Sequence, residues 1–201
     1  MSPTAKILAR FFLVLILVYG VLAVPWPAVR AGYAAVYRGV ANVVFGSFGG
    51  DGIVRFEPAG SDEAGMDTLI QVRRRGSSVV GTTTHDSRLT GYLPTIEVVA
   101  LILATPVAWS RRWRALLWGL LAAHLFVGLR LYITLLRWFA GDAPWCLYDP
   151  GPVGTTVLVK VFEVAVVSPT LTYVVPLFIW IVATFRASDL SLLTTKNGVR
   201  H

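Results

Sequence analysis

The residues of this sequence that could do chemistry are few, and they sit in or beside long apolar runs. Glu97 is the single charge within 92–109 (YLPTIEVVALILATPVAW), while Arg130 and Arg137 are set into 115–140 (ALLWGLLAAHLFVGLRLYITLLRWFA). On a helix the two arginines return nearly to one azimuth, because seven residues make almost two full turns. An arginine halfway along a membrane span costs roughly 2.5 kcal/mol or more unless it faces protein or water. Arg130 therefore needs a partner. Glu97 lies at a depth between the two arginines, so the sequence predicts a buried Glu97–Arg130 or Glu97–Arg137 ion pair that fixes helix register.

Beyond these, the candidates are His85, His124 and Cys146. His85-Asp86-Ser87 contains the residue types of a hydrolytic triad, but adjacent residues cannot take up triad geometry. His85 remains able to supply an imidazole to a site on the outer face. His124 reads as a packing residue. Cys146 is the only cysteine, which excludes an internal disulfide and an all-cysteine metal site. It lies in the loop 141–154 among Trp145, Leu147 and Tyr148, with no adjacent base to favour its thiolate. The bland reading is an inert interfacial thiol, and the functional one a nucleophile. No P-loop, GxGxxG, CxxC or HExxH occurs, so neither a cofactor nor a metal is expected.

The elements that must position these residues are membrane helices. The chain has 201 residues, 55% hydrophobic and only 14% charged, with a mean hydropathy of +0.66. Soluble domains carry about 25% charged residues. The net charge of +7 does not indicate nucleic acid, because many basic residues flank apolar runs, as the positive-inside rule requires. The predicted fold class is all-α integral membrane protein with about four spans, near 7–25, 92–109, 115–139 and 169–185. The first could be a signal peptide, but Ala23-Val24-Pro25 makes a poor cleavage site and an uncleaved helix is favoured. Residues 28–48 have the spacing of an amphipathic helix lying on the outer membrane surface or packing against the bundle.

Residues 49–91 form the polar insertion, read as a small extracytoplasmic β element. Strands are expected around Ile53–Phe56 and Leu69–Arg73, with a third within 78–84. Turn chemistry fills 58–65. A basic hinge, Ser110-Arg111-Arg112-Trp113-Arg114, joins the second and third spans. With this hinge, Lys6, Arg10 and the tail residues Arg186, Lys196 and Arg200 inside, both termini are cytoplasmic. The insertion and the Cys146 loop then lie outside. The expected location is a membrane, with the bilayer as first partner.

Thr95-Ile96-Glu97, Pro106-Val107-Ala108-Trp109, Arg111-Arg112-Trp113-Arg114, Gly119-Leu120-Leu121 and Leu129-Arg130-Leu131 together resemble the exosortase/archaeosortase family. The resemblance covers about 91–139 and extends over the rest only in layout. It implies a multi-spanning envelope protein of the cytoplasmic (inner) membrane of a prokaryote that binds a C-terminal sorting segment at its outer face and acts as a cysteine transpeptidase. By the same resemblance Arg130 matches the family's arginine. The family's cysteine position falls at Leu93 or a neighbour, and no histidine occurs in 155–185. Two readings stand. One is an exosortase-like enzyme with a moved nucleophile, Cys146 or a threonine, aided by His85. The other is a non-catalytic assembly or scaffold subunit of an envelope export or exopolysaccharide system.

Overall fold

The computed structural model describes residues 2–24, 26–60 and 65–185. Along them run α1 (Pro3–Ala23), α2 (Trp26–Phe45), β1 (Ser47–Phe48), β2 (Gly52–Pro58), β3 (Thr68–Arg74) and β4 (Gly81–His85). Next come α3 (Leu93–Ala104), α4 (Trp109–Phe139), α5 (Gly151–Phe162) and α6 (Pro169–Thr184). A π-helical turn, Arg88–Tyr92, leads into α3, and a second, Glu163–Val167, continues α5. Part of the expected turn (61–64), Pro25, and the tail residues Arg186, Lys196 and Arg200 lie outside the described residues.

Two helices, Thr4–Ala23 and Trp109–Phe139, are long and apolar enough to cross a membrane. Residues 151–167 and 169–184, bent by 69° at their junction, add a third if they count as one broken span. The sequence predicts four spans, and the difference lies at 92–109. There the helix ends at Ala104 after 12 residues. Thr105 precedes Pro106 and takes the extended backbone that a following proline imposes (ψ 130°). The expected basic hinge is instead the first turn of α4, which begins at Trp109.

Short as it is, α3 is the buried centre of the helical half, packed against α1, α4 and α6. Val98, Ala100 and Ile102 are wholly inaccessible. Gly119 of α4 makes this packing close: a Cβ there would stand 2.7 Å from Ile102 Cδ1 and 3.0 Å from Val98 Cγ1. At the C-terminus of α3, Arg112 donates to Thr105 O at 2.9 Å, and Trp180 Nε1 donates to Thr105 Oγ1 at 2.8 Å. On α1 the apolar side chains face outward instead, Ile16 and Val21 being 68% exposed. That is the pattern of a helix whose solvent is lipid.

The four strands form one antiparallel sheet in the order β1-β2-β3-β4. Alternation sends Val54, Phe56, Ile70 and Val72 to one face. That face packs on Tyr37 and Ala41 of α2 and on Val127, Leu131, Leu135 and Phe139 of α4. Asn42 of α2 pairs with the backbone of Phe56, donating to its carbonyl and accepting from its N–H, both at 2.9 Å. So α2 and α4 together form the layer on which the sheet lies. The sheet has too few residues to hold a core alone and borrows its second layer from the helices.

Candidate functional site

Arg130 stands where these layers meet, and it is only 4% exposed. Its Nη2 donates to Val166 O at 2.7 Å, and its guanidinium lies 5.6 Å from the Phe126 ring centroid. The Nε and Nη1 atoms are buried without a hydrogen-bond partner. Val166 O belongs to the π-helical turn after α5, next to the break at Ser168-Pro169. Thr170 N, which would otherwise continue the ladder, donates to Ser168 Oγ at 3.3 Å. A carbonyl orphaned by a helix end thus satisfies one nitrogen of the arginine.

Tyr37 and His85 approach from the sheet side. The Tyr37 hydroxyl and His85 Nε2 are hydrogen bonded at 3.0 Å, with the rings stacked 6.0 Å apart. Burial first, then the charge of Arg130, pushes His85 down from 6.5 to about 4, against the weaker pull of Asp67. His85 is therefore neutral at pH 7. Its sequence neighbours go elsewhere. Ser87 donates from Oγ and N to the buried Asp67 carboxylate, at 2.7 and 3.2 Å, and Asp86 Oδ1 accepts from Arg88 N at 2.8 Å. No triad forms. Thr68 Oγ1 also donates to Asp67 at 2.9 Å, so this carboxylate pins β3 to the start of the π-helical turn.

The structure does not form the expected Glu97 pairs. Val98 is level with Gly119, so Arg130 stands about 16 Å further along α4, beyond the reach of Glu97. The sequence estimate failed because the third span starts at Trp109 rather than at Ala115. Glu97 Oε2 is left buried without a hydrogen bond. The ion pair seen among the described residues, Lys160–Glu163 at 2.8 Å, is exposed.

The loop bearing Cys146 does fold back on α4. Leu147 N donates to Phe139 O at 2.8 Å, Gly141 N to Tyr148 O at 3.1 Å, and Tyr148 Oη to Leu136 O at 2.8 Å. Trp145 lies flat on the sheet at Gly81, where any Cβ would come within 2.8 Å of the indole. Cys146 itself is buried, its Sγ 3.7 Å from Trp138 O. It shares a cleft of about 410 Å³ with Thr83, Arg137, Asp142 and Phe162. Arg130 does not line this cleft, although Phe162 is one turn before Val166 and Thr83 two residues before His85. The thiol stays level with Trp138, about 12 Å along the helix axis from Arg130. Arg137 joins Cys146, and His85 joins Arg130, but thiol, imidazole and guanidinium do not meet.

His124 is exposed, with Nδ1 2.7 Å from Leu120 O, and lines an apolar groove of about 610 Å³ between α2 and α4. It is satisfied, as a packing histidine would be, yet not packed. Tyr37 and Asp67 escaped the sequence reading; their only signals were a tyrosine pair at i, i+4 with Tyr33 and an acid just before a strand. Among the described residues, no cluster of three His, Cys, Asp or Glu could hold a metal ion. No family model, curated protein or solved structure matches this chain.

Proposed function

We propose that this chain is an exosortase-like protein of a prokaryotic inner membrane that binds a peptide sorting segment at its outer face. Arg130 holds a carboxylate or carbonyl oxygen of that segment. The observation that carries this reading is the guanidinium, 4% exposed, with two buried nitrogens unpartnered. Such a group is expensive to bury and becomes satisfied when an acceptor oxygen arrives. The distance from thiol to guanidinium favours binding without cysteine transpeptidation, which is the role of an assembly subunit in an envelope export system.

The orientation supported by side-chain placement has both termini cytoplasmic. Trp109, Trp113, Arg112 and Arg114 gather at one end of α4, and the sheet stands at the other. The test is a photocrosslinking amino acid at Phe162 in cells. It should capture the C-terminal segment of an exported envelope protein, identified by mass spectrometry. Arg130→Met, accumulating normally, should lose that adduct, and Arg130→Lys should retain part of it. An adduct unchanged in Arg130→Met would remove Arg130 from the binding site.

A further inference from the structure

The sheet has a second face, turned away from the helices, and two of its arginines make no ion pair. Because Val54, Phe56, Ile70 and Val72 point inward, Ile53, Arg55 and Glu57 of β2 and Leu69, Gln71 and Arg73 of β3 point outward. Arg55 is directly opposite Gln71, and Arg73 directly opposite Ile53. The two arginines are thus diagonal neighbours, about 7–8 Å apart on one face. Like charges so placed repel. The nearest acid on that face, Glu57, is occupied: its Oε2 accepts from Gln71 Nε2 at 3.0 Å. Among the described residues neither Arg55 nor Arg73 has a side-chain hydrogen bond or ion pair. Arg74 and Arg75 come directly after and are exposed.

Between the two guanidinium-bearing strands lies a depression of about 60 Å³ lined by Ile53, Arg55, Gln71, Arg73 and Val80. That is about twice the share of liquid volume of one water molecule, room for a single carboxylate. Beside it runs β4, whose far edge pairs with no strand of the sheet. We propose that this outer face docks an acidic, extended peptide segment, one carboxylate seating between Arg55 and Arg73. Charge complementarity selects an anion. The apolar Ile53 and Val80 rims select a peptide over an acidic polysaccharide, since the alternate apolar side chains of an extended peptide can cover them. This surface is on the opposite side of the sheet from Arg130 and does not depend on what Arg130 binds.

The test uses the full chain in phosphatidylcholine nanodiscs. The probes are a fluorescent short peptide of alternating valine and glutamate, its glutamine counterpart, and fluorescent polygalacturonate. Anisotropy should show the glutamate peptide binding about tenfold more tightly than the glutamine one, with the difference shrinking as salt is raised. Arg55→Gln with Arg73→Gln should weaken the glutamate peptide about tenfold, and the paired lysine variants should keep most of the affinity. Equal binding of the two peptides by the wild-type chain would overturn the proposal without recourse to any variant. So would undiminished binding by the double glutamine variant, or saturable binding of polygalacturonate in place of the peptide.

Discussion

A buried guanidinium with two unsatisfied nitrogens is a load on the fold, and under the proposed function a ligand relieves it. Arg130→Met should therefore leave the melting temperature of the unliganded protein unchanged or higher, measured in detergent, while abolishing crosslinking from position 162. Since Glu97 stands about 16 Å away along the bundle, its effects should be independent. A double-mutant cycle of Glu97→Gln and Arg130→Met should close within about 0.5 kcal/mol; a coupling well above that would restore the ion pair. His85 gives a pH signature. Its folded value, about 4, is below its unfolded 6.5, so the unfolded chain takes up the proton first. The stability contribution is complete above pH 6.5 and lost as pH falls toward 4, on the order of 1–3 kcal/mol after allowance for its partial exposure. His85→Gln should flatten the stability profile across that window. Arg130 was legible in the sequence because a cation in an apolar run is conspicuous. Its neighbours were not, because Tyr37 reads as one more apolar position of an amphipathic helix and His85, in a polar insertion, looks like any surface residue until the sheet folds down on α4.

Strands and helices were legible to different degrees, for a physical reason. Period-two alternation marked β2 and β3, and only the short β1 and the offset of β4 were missed. Helix ends depended instead on one residue. Pro106 stops α3 by its effect on Thr105, whereas the arginine run 111–114, which reads as a loop by charge, is compatible with a helix lying at a membrane boundary. The loop 141–154 could not be placed from sequence, since its glycines permit many paths. Its seat is the contact of Trp145 with Gly81. Gly81→Val should lift the indole from the sheet and expose the thiol, so maleimide should label Cys146 several-fold faster than in the wild type. An unchanged labelling rate would mean that the loop is held by its hydrogen bonds to Phe139 alone.

At the scale of the molecule, α4 organises everything. Its 31 residues extend about 46 Å, longer than a hydrocarbon core, and its C-terminal part is the post on which the sheet is mounted. The proposed orientation predicts that a cysteine introduced at exposed Val79, in a Cys146→Ala background, reacts with an impermeant maleimide on intact cells. One introduced at Trp113 should react only after the cells are opened. The opposite pattern would invert the protein. Composition told of a membrane helix bundle, but it could not tell that α3 would be buried at its centre without the length of a full span.

The π-helical turn at Glu163–Val167 has a consequence that belongs to descent rather than to mechanics. Such a turn accommodates one residue more than a turn of α-helix, as a single-codon insertion would supply. Removing Ala165 should restore the regular helix, rotate α6 by about 100° about the axis of α5 and take the Val166 carbonyl away from Arg130. The extra codon and the arginine codon are therefore expected to be inherited together. Among relatives of this chain, those one residue shorter at this turn should carry an apolar residue where this one has Arg130, and a lineage that kept the arginine after losing the codon would break the link.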